Sequence, residues 1–207
     1  MRSWSAIALA LACLLVATIV GACSTTFDPS MPCTADGAGD GATRGTFPEL
    51  EAAVPTAFRG GPPSALDSGR TCSTAGLSTL AGHGITELRF AGATWETGKD
   101  SGVSLATFAT GSGPALTPAW LAEFYETGAR SGKNVQKVET SDYSVGGDMG
   151  GKRVDVLNGE SYQTVIVWSR DQRVAAALIG NFIRDIQTRE AHEKVVREAV
   201  DAFAIRL

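Results

Sequence analysis

Residues 152–179 read KRVDVLNGESYQTVIVWSRDQRVAAALI. Two runs rich in β-branched and apolar residues, 152–157 and 162–168, flank Asn158-Gly159, a pair favoured in two-residue hairpins because both turn positions need positive φ. A second reversal leads into a third run, 173–179. We therefore predict a C-terminal β-meander of three antiparallel strands.

The middle run contains Val165-Ile166-Val167-Trp168, which is apolar on both faces of a strand. Such a strand lies inside a sheet with a layer on each side. Two more strands are predicted near 86–95 and 103–109, separated by a glycine-rich turn. The sequence predicts an α+β fold with a single, mainly antiparallel sheet of five to six strands, packed by two to three helices.

The clearest predicted helix begins at Thr117-Pro118. Threonine caps the first free amides of a helix, and proline suits its first position. Apolar residues then recur at spacings of three and four, so one face of the helix is buried. Core packing is the default role of its aromatic side chains; alternatively they line an apolar cleft, whose candidate residues are Trp120, Phe124, Tyr125 and Trp168. A last helix is predicted near 188–205.

The length, composition and net charge of the chain limit the class of protein to which it can belong. The chain has 207 residues, of which 43% are apolar and 19% charged, the composition of a globular domain with appendages. Its net charge of −4 argues against nucleic acid as a partner, because that binding depends on Lys and Arg neutralising phosphates.

The N-terminal segment has the order of a secretory signal. Arg2 precedes residues 4–20, which carry no charge and are rich in alanine, leucine and valine, and small residues follow. The stretch ends at Val20-Gly21-Ala22-Cys23. These four residues resemble the lipobox of bacterial lipoproteins.

The resemblance implies that the thiol of Cys23 receives a diacylglyceryl group and that residues 1–22 are removed as a signal peptide. The new amino terminus would usually be acylated as well, for example with palmitate. An uncleaved membrane helix is the alternative, because about 17 apolar residues approach the length that spans a bilayer. Either way the chain would lie on the extracytoplasmic side of a membrane, in the periplasm or at the cell surface.

The resemblance to a lipoprotein signal implies different fates for the four cysteines. Cys13 would leave with the signal peptide and Cys23 would carry the lipid, so Cys33 and Cys72 remain in an oxidising compartment. We predict a disulfide between them; two unpaired thiols are the alternative. Residues 23–46, rich in small and polar residues, are predicted to be a lipid-anchored flexible tether. Residues 47–207 would form one globular domain, whose element order loosely resembles sheet-and-helix domains related to the PsbP fold.

Candidate catalytic patterns are weak. The glycine-rich stretch 146–152 ends in Lys152, as in a phosphate-binding loop, but Arg153 replaces the Ser or Thr that holds Mg²⁺, and a strand follows. We interpret it as a hairpin turn. The two histidines, His83 and His192, have no metal-ligand spacing. The sequence therefore predicts no catalytic residue, no metal site and no cofactor.

Three functions remain open. The first is an extracytoplasmic lipoprotein that binds a small apolar ligand, a lipid or an envelope protein without catalysis. The second is a structural accessory subunit of an envelope assembly. The third and least favoured is a hydrolase that uses His83 or His192 with a carboxylate.

Overall fold

The structure is a computed structural model, and it describes residues 27–204. The predicted signal peptide, residues 1–22, and the predicted lipid site at Cys23 lie outside the described residues.

Eight strands form one antiparallel sheet in residues 27–204. The order across the sheet is β1-β2-β3-β4-β8-β7-β6-β5, so an N-terminal and a C-terminal meander meet where β4 pairs with β8. The strands are β1 Gly41–Thr43, β2 Ala65–Thr71, β3 Leu88–Glu96, β4 Gly102–Thr110, β5 Val135–Val145, β6 Met149–Asn158, β7 Ser161–Arg170 and β8 Arg173–Phe182.

Helices cover both faces of the sheet. They are α1 Pro48–Glu51, α2 Thr74–Leu77, α3 Thr79–Gly82, α4 Pro118–Arg130 and α5 Arg189–Ala204. Side chains of α2, α3 and α4 share one apolar cluster with one face of the sheet, and those of α1 and α5 share a second cluster with the other face. Alternate residues of β7 divide between the two clusters: Val165 and Val167 face α4, whereas Ile166 and Trp168 face α5.

The predicted sheet of five to six strands with two to three helices is wrong, because the described residues form eight strands and five helices. The sequence prediction missed β1, β2 and β5. Both β2 (ALDSGRT) and β5 (VQKVETSDYSV) are mostly polar, and β1 has only three residues. These strands join the sheet through backbone hydrogen bonds, which leave no apolar alternation in the sequence.

The turn between β6 and β7 also differs from the prediction. Neither Asn158 nor Gly159 has a positive φ. Asn158 is the last residue of β6, and its Oδ1 accepts hydrogen bonds from the backbone amides of Glu160 at 3.0 Å and Ser161 at 2.8 Å. The asparagine therefore shapes the turn through its side chain rather than through left-handed backbone geometry.

Residues 27–46, called here the N-terminal strap, pack on the sheet although they fall within the predicted flexible tether. The strap contains β1, which pairs with β2. The predicted disulfide is present: Cys33 in the strap is bonded to Cys72 just after β2, with 5.6 Å between their Cα atoms. Pairing and disulfide together fix the strap to one edge of the sheet.

Candidate functional site

A buried polar cluster lies where α5 crosses the C-terminal meander. It contains Thr164 of β7, Asn181 of β8 and His192 of α5, with exposed fractions of 0%, 0% and 2%. Thr188 starts the helix by accepting a hydrogen bond from the amide of Ala191. His192 lies one turn before the buried Val196, so the helical period places its ring against the sheet.

The hydrogen bonds of this cluster run in one direction. The amide nitrogen of Asn181 donates to Nδ1 of His192 at 2.8 Å, so the proton of the neutral ring resides on Nε2. Nε2 donates to Oγ1 of Thr164 at 2.9 Å. The threonine hydroxyl then donates to Oδ1 of Asp155 at 2.7 Å. Both ring nitrogens are therefore occupied within the protein.

Burial lowers the pKa of His192 to about 4, and the attraction of the carboxylates Glu193 and Asp155 offsets this only in part. The charged imidazolium is disfavoured because it would lose its hydration inside the fold. His192 is therefore neutral at pH 7.

Arg153 of β6 joins two carboxylates beside the histidine. Its Nε lies 2.6 Å from Oδ2 of Asp155, and its Nη1 lies 2.9 Å from Oε2 of Glu193. Burial by itself would raise the pKa of Asp155, but hydrogen bonds from Arg153 and Thr164 hold it below the usual value. The hydrogen bond from Arg153 likewise lowers the pKa of Glu193. Both carboxylates are ionised at neutral pH and neither can serve as a general acid.

A pocket with a volume of about 30 Å³ is lined in part by Asp155, Thr164 and His192 of this cluster. Lys137, Glu139, Tyr162 and Arg189 contribute to its walls. The volume accommodates about one or two water molecules, whereas pockets for small-molecule ligands are roughly ten times larger. The cluster is suited to joining α5 to the sheet rather than to binding a substrate.

The four residues of the predicted apolar cleft do not lie together. Phe124 and Tyr125 are buried between α4 and the sheet, and Trp168 is buried on the opposite face against Phe203 of α5. The sheet itself separates Phe124 and Tyr125 from Trp168, because position 168 of β7 faces α5. Phe124, Tyr125 and Trp168 pack in the core, and the four residues line no common cleft.

Trp120 lies at the surface of the α4 layer. Its ring stacks on His83, with 4.6 Å between ring centroids and an interplanar angle of 9°. Nε2 of His83 lies 2.7 Å from Oε2 of Glu123, which lies about one turn after Trp120 in α4. His83 and His192, the two histidines considered for catalysis, thus lie on opposite faces of the sheet and do not form one site.

Asp40 approaches the two bonded cysteines, and one ligand atom each from Cys33, Asp40 and Cys72 lies within 4.8 Å of the others. Both sulfur atoms belong to the disulfide, so they are not thiolates and do not ligate a metal. Asp40 instead accepts hydrogen bonds from the amides of Cys72, at 2.6 Å, and Ser73. The aspartate is a structural residue of the strap.

An open groove of about 640 Å³ lies between the start of α4 and the β5–β6 hairpin. Lys152 and Asp142 form an ion pair on its wall, with 2.5 Å between Nζ and Oδ1. At the start of α4, Oγ1 of Thr117 accepts the hydrogen bond of the Trp120 amide at 3.2 Å. The charges of Lys152 and Asp142 and the capping hydroxyl of Thr117 thus already have partners within the chain.

Strand β5 forms the edge of the sheet farthest from the strap. It is eleven residues long, and seven of its side chains are exposed. Its only sheet neighbour within the described residues is β6, so one row of its backbone groups faces outward. Sequence reasoning missed this surface because it consists of backbone amides and carbonyls, whose availability depends on strand order.

Within the described residues, no helix has the length and apolar character needed to cross a membrane. No protein-family model matches the chain, and no curated protein shows significant similarity to it.

Proposed function

We propose that the protein is a lipoprotein, anchored through Cys23 on the extracytoplasmic side of a membrane, that binds an envelope protein without catalysing a reaction. The order of charge, apolar stretch and Val20-Gly21-Ala22-Cys23 motif supports the anchor. The disulfide between Cys33 and Cys72 supports the compartment, because such bonds persist where the environment is oxidising.

The observation that carries the binding part of the proposal is the open edge of β5. A long edge strand with unpaired backbone groups accepts an extended segment of another chain by strand addition. The exposed side chains of β5 include Lys137, Glu139 and Asp142. Lys137 pairs with Glu139, and Asp142 pairs with Lys152. These charged side chains disfavour indiscriminate pairing with apolar strands.

Binding of a small apolar ligand is less well supported. The aromatic side chains that would line its cleft are buried in two separate clusters. Catalysis is also less well supported, because His192 is buried with both nitrogens hydrogen-bonded and its neighbouring carboxylates are paired with Arg153. A partner protein that adds a strand uses the surface and requires no cavity.

Site-specific photo-cross-linking in intact cells tests the proposal. A photoreactive residue replaces Ser141 of β5 in one variant and Gln172, in the β7–β8 turn, in the matched control; both positions are exposed. We expect one discrete protein adduct from position 141 and none from position 172. Mass spectrometry should place the adduct in an extended segment of the partner. No adduct at position 141, or equal adducts at both positions, would contradict the binding proposal.

The anchor is tested separately. Intact mass of the membrane-extracted protein should show acyl groups on a chain that begins at Cys23, and Cys23→Ser should abolish the acyl mass. A partner that remains bound in fixed stoichiometry after mild extraction would favour the accessory-subunit form of this function over transient binding.

A further inference from the structure

The N-terminal strap is attached rigidly to the domain. Three backbone pairs join β1 to β2, from Gly41 opposite Arg70 to Thr43 opposite Ser68. The disulfide from Cys33 holds the first half of the strap to the end of β2. The strap therefore moves with the sheet and does not act as a loose tether.

Side chains from both sides reinforce this attachment. Arg70 of β2 donates hydrogen bonds to the carbonyl oxygens of Gly39, at 3.1 Å, and of Met31. Asp40 of the strap accepts hydrogen bonds from the Cys72 amide and from Oγ1 of Thr71, at 2.6 and 2.8 Å. The contacts reach as far toward the N-terminus as Phe27, whose ring lies against Gly41 of β1.

The chain between the proposed lipid site and the strap is short. The structure describes the chain from Phe27 onward, and only four residue steps separate Phe27 from Cys23. A fully extended chain spans at most about 3.6 Å per residue, so these steps cover about 14 Å. An anchor at Cys23 would therefore hold Phe27 within about 14 Å of the lipid headgroups.

Met31 is the large apolar side chain that stands out on the described surface, with 49% of its area exposed. It ends a tight turn in which its amide donates to the carbonyl of Asp28 at 3.2 Å. Oδ1 of Asp28 accepts the amide of Ser30 at 2.8 Å and fixes the same turn. The exposed methionine is thus presented on the part of the strap that lies closest along the chain to the anchor.

We infer that the strap rests on the lipid surface with Met31 in contact with it, so that the sheet projects from the membrane and β5 is its outermost strand. The inference rests on the lipid attachment that the proposed function assigns to Cys23. Seven strand spacings of about 4.8 Å separate β1 from β5, a distance of about 34 Å. The open edge of β5 would then face away from the membrane, toward other envelope proteins.

The charges of the strap indicate which lipids suit this contact. Asp28 and Asp36 are exposed, and Arg44 is the strap's basic residue. Hydrogen bonds from Ser30 and Thr34 lower the pKa values of the two aspartates, so both are ionised at neutral pH. The contact therefore depends on the short chain and on Met31 rather than on attraction to anionic lipids, and neutral vesicles are the appropriate probe.

Photo-cross-linking to lipid tests the orientation. The acylated mature protein, which begins at Cys23, is reconstituted in phosphatidylcholine vesicles, with a photoreactive residue at Met31 in one variant and at Ser141 in the matched control. We expect at least a ten-fold higher yield of lipid adducts at position 31. Insertion of twenty Gly and Ser residues after Thr26 should lower the yield at position 31 several-fold, because the strap is then free to leave the surface.

The outcomes separate the two proposals. The orientation would be overturned by equal yields of lipid adducts at positions 31 and 141. It would also be overturned if the inserted linker left the yield at position 31 unchanged. In either case, an intact mass that includes acyl groups would still support the anchor at Cys23. A chain without acyl groups in the intact mass would overturn both. Hydrogen exchange of the unsubstituted protein gives a second reading, since vesicles should protect amides in residues 28–46 and leave those in 136–144 unchanged.

Discussion

The Nε2 atom of His192 lies 2.9 Å from Oγ1 of Thr164, and this contact joins α5 to β7 of the sheet. The ring is inside the fold, where its protonated form is disfavoured. The pair therefore makes the stability of the domain depend on pH in a definite direction.

We predict that the free energy of unfolding decreases as pH falls from about 6.5 to about 4. The pKa of His192 is about 4 in the folded protein, below the ordinary value of 6.5. Between these values the unfolded chain binds a proton that the folded protein does not, so acid favours unfolding. This difference in pKa of about 2.5 corresponds to a change of at most about 3.4 kcal/mol in the free energy of unfolding. Urea unfolding at pH 7 and pH 5 measures the slope.

His192→Gln removes the titrating group and keeps a side-chain amide for Thr164 or Asn181. This variant should be less stable at pH 7 but should lose less stability than the parent between pH 7 and pH 5. The matched control is His83→Gln, on the opposite face, which should retain the slope. An identical slope in the parent and in His192→Gln would contradict the assignment.

We predict that Arg153→Ala destabilises the domain by about 2–3 kcal/mol, because it leaves two partly buried carboxylates, Asp155 and Glu193, without their common partner. Arg130→Ala is the control. Its side chain is 57% exposed and pairs with Glu126 along one helix, so the expected loss is about 0.5 kcal/mol. Thermal and urea unfolding compare the two variants, and similar losses would refute the buried role of Arg153.

Loss of the disulfide should destabilise the domain by about 4 kcal/mol in the chain-entropy model, since Cys33 and Cys72 are 39 residues apart. The measurement is urea unfolding of Cys33→Ser/Cys72→Ser beside the parent. A reducing agent should destabilise the parent and leave the double variant unchanged. If the parent proved indifferent to reduction, the disulfide would have no part in stability.

Because the sheet separates Phe124 from Trp168, we predict that substitutions at these two positions have additive effects on the free energy of unfolding. Phe124→Leu and Trp168→Phe should each cost about 1–2 kcal/mol through lost packing. Trp168 Nε1 has no hydrogen-bond partner among the described residues, so its replacement removes packing alone. The double variant should equal the sum within about 0.5 kcal/mol. A coupling energy above 1 kcal/mol would indicate that the two rings share one site after all.

Features with a local cause were predictable from the sequence. Thr117-Pro118 predicted the start of α4, and the threonine hydroxyl does accept the Trp120 amide. The count of cysteines predicted the Cys33–Cys72 bond, which the structure contains. The burial of His192 could also have been predicted, because it lies four residues before Val196 on the buried face of α5.

Features that depend on strand order were not predictable. The polar strands β1, β2 and β5 lack the alternation that marks a half-buried strand, and backbone hydrogen bonds place them in the sheet. Likewise, the aromatic residues of α4 and β7 were candidates for one common apolar cleft, whereas Phe124 and Trp168 lie on opposite faces of the sheet.

The sequence by itself determined the helix start and the cysteine pair, since each depends on residues that are close together or on their count. The resemblance of residues 20–23 to a lipobox likewise comes from the sequence alone. The tertiary structure alone decided which strands lie at the edges, that residues 27–46 are fixed to β2, and that β5 keeps one side open. These properties arise from backbone groups and from contacts between distant segments, and neither leaves a periodic pattern in the sequence.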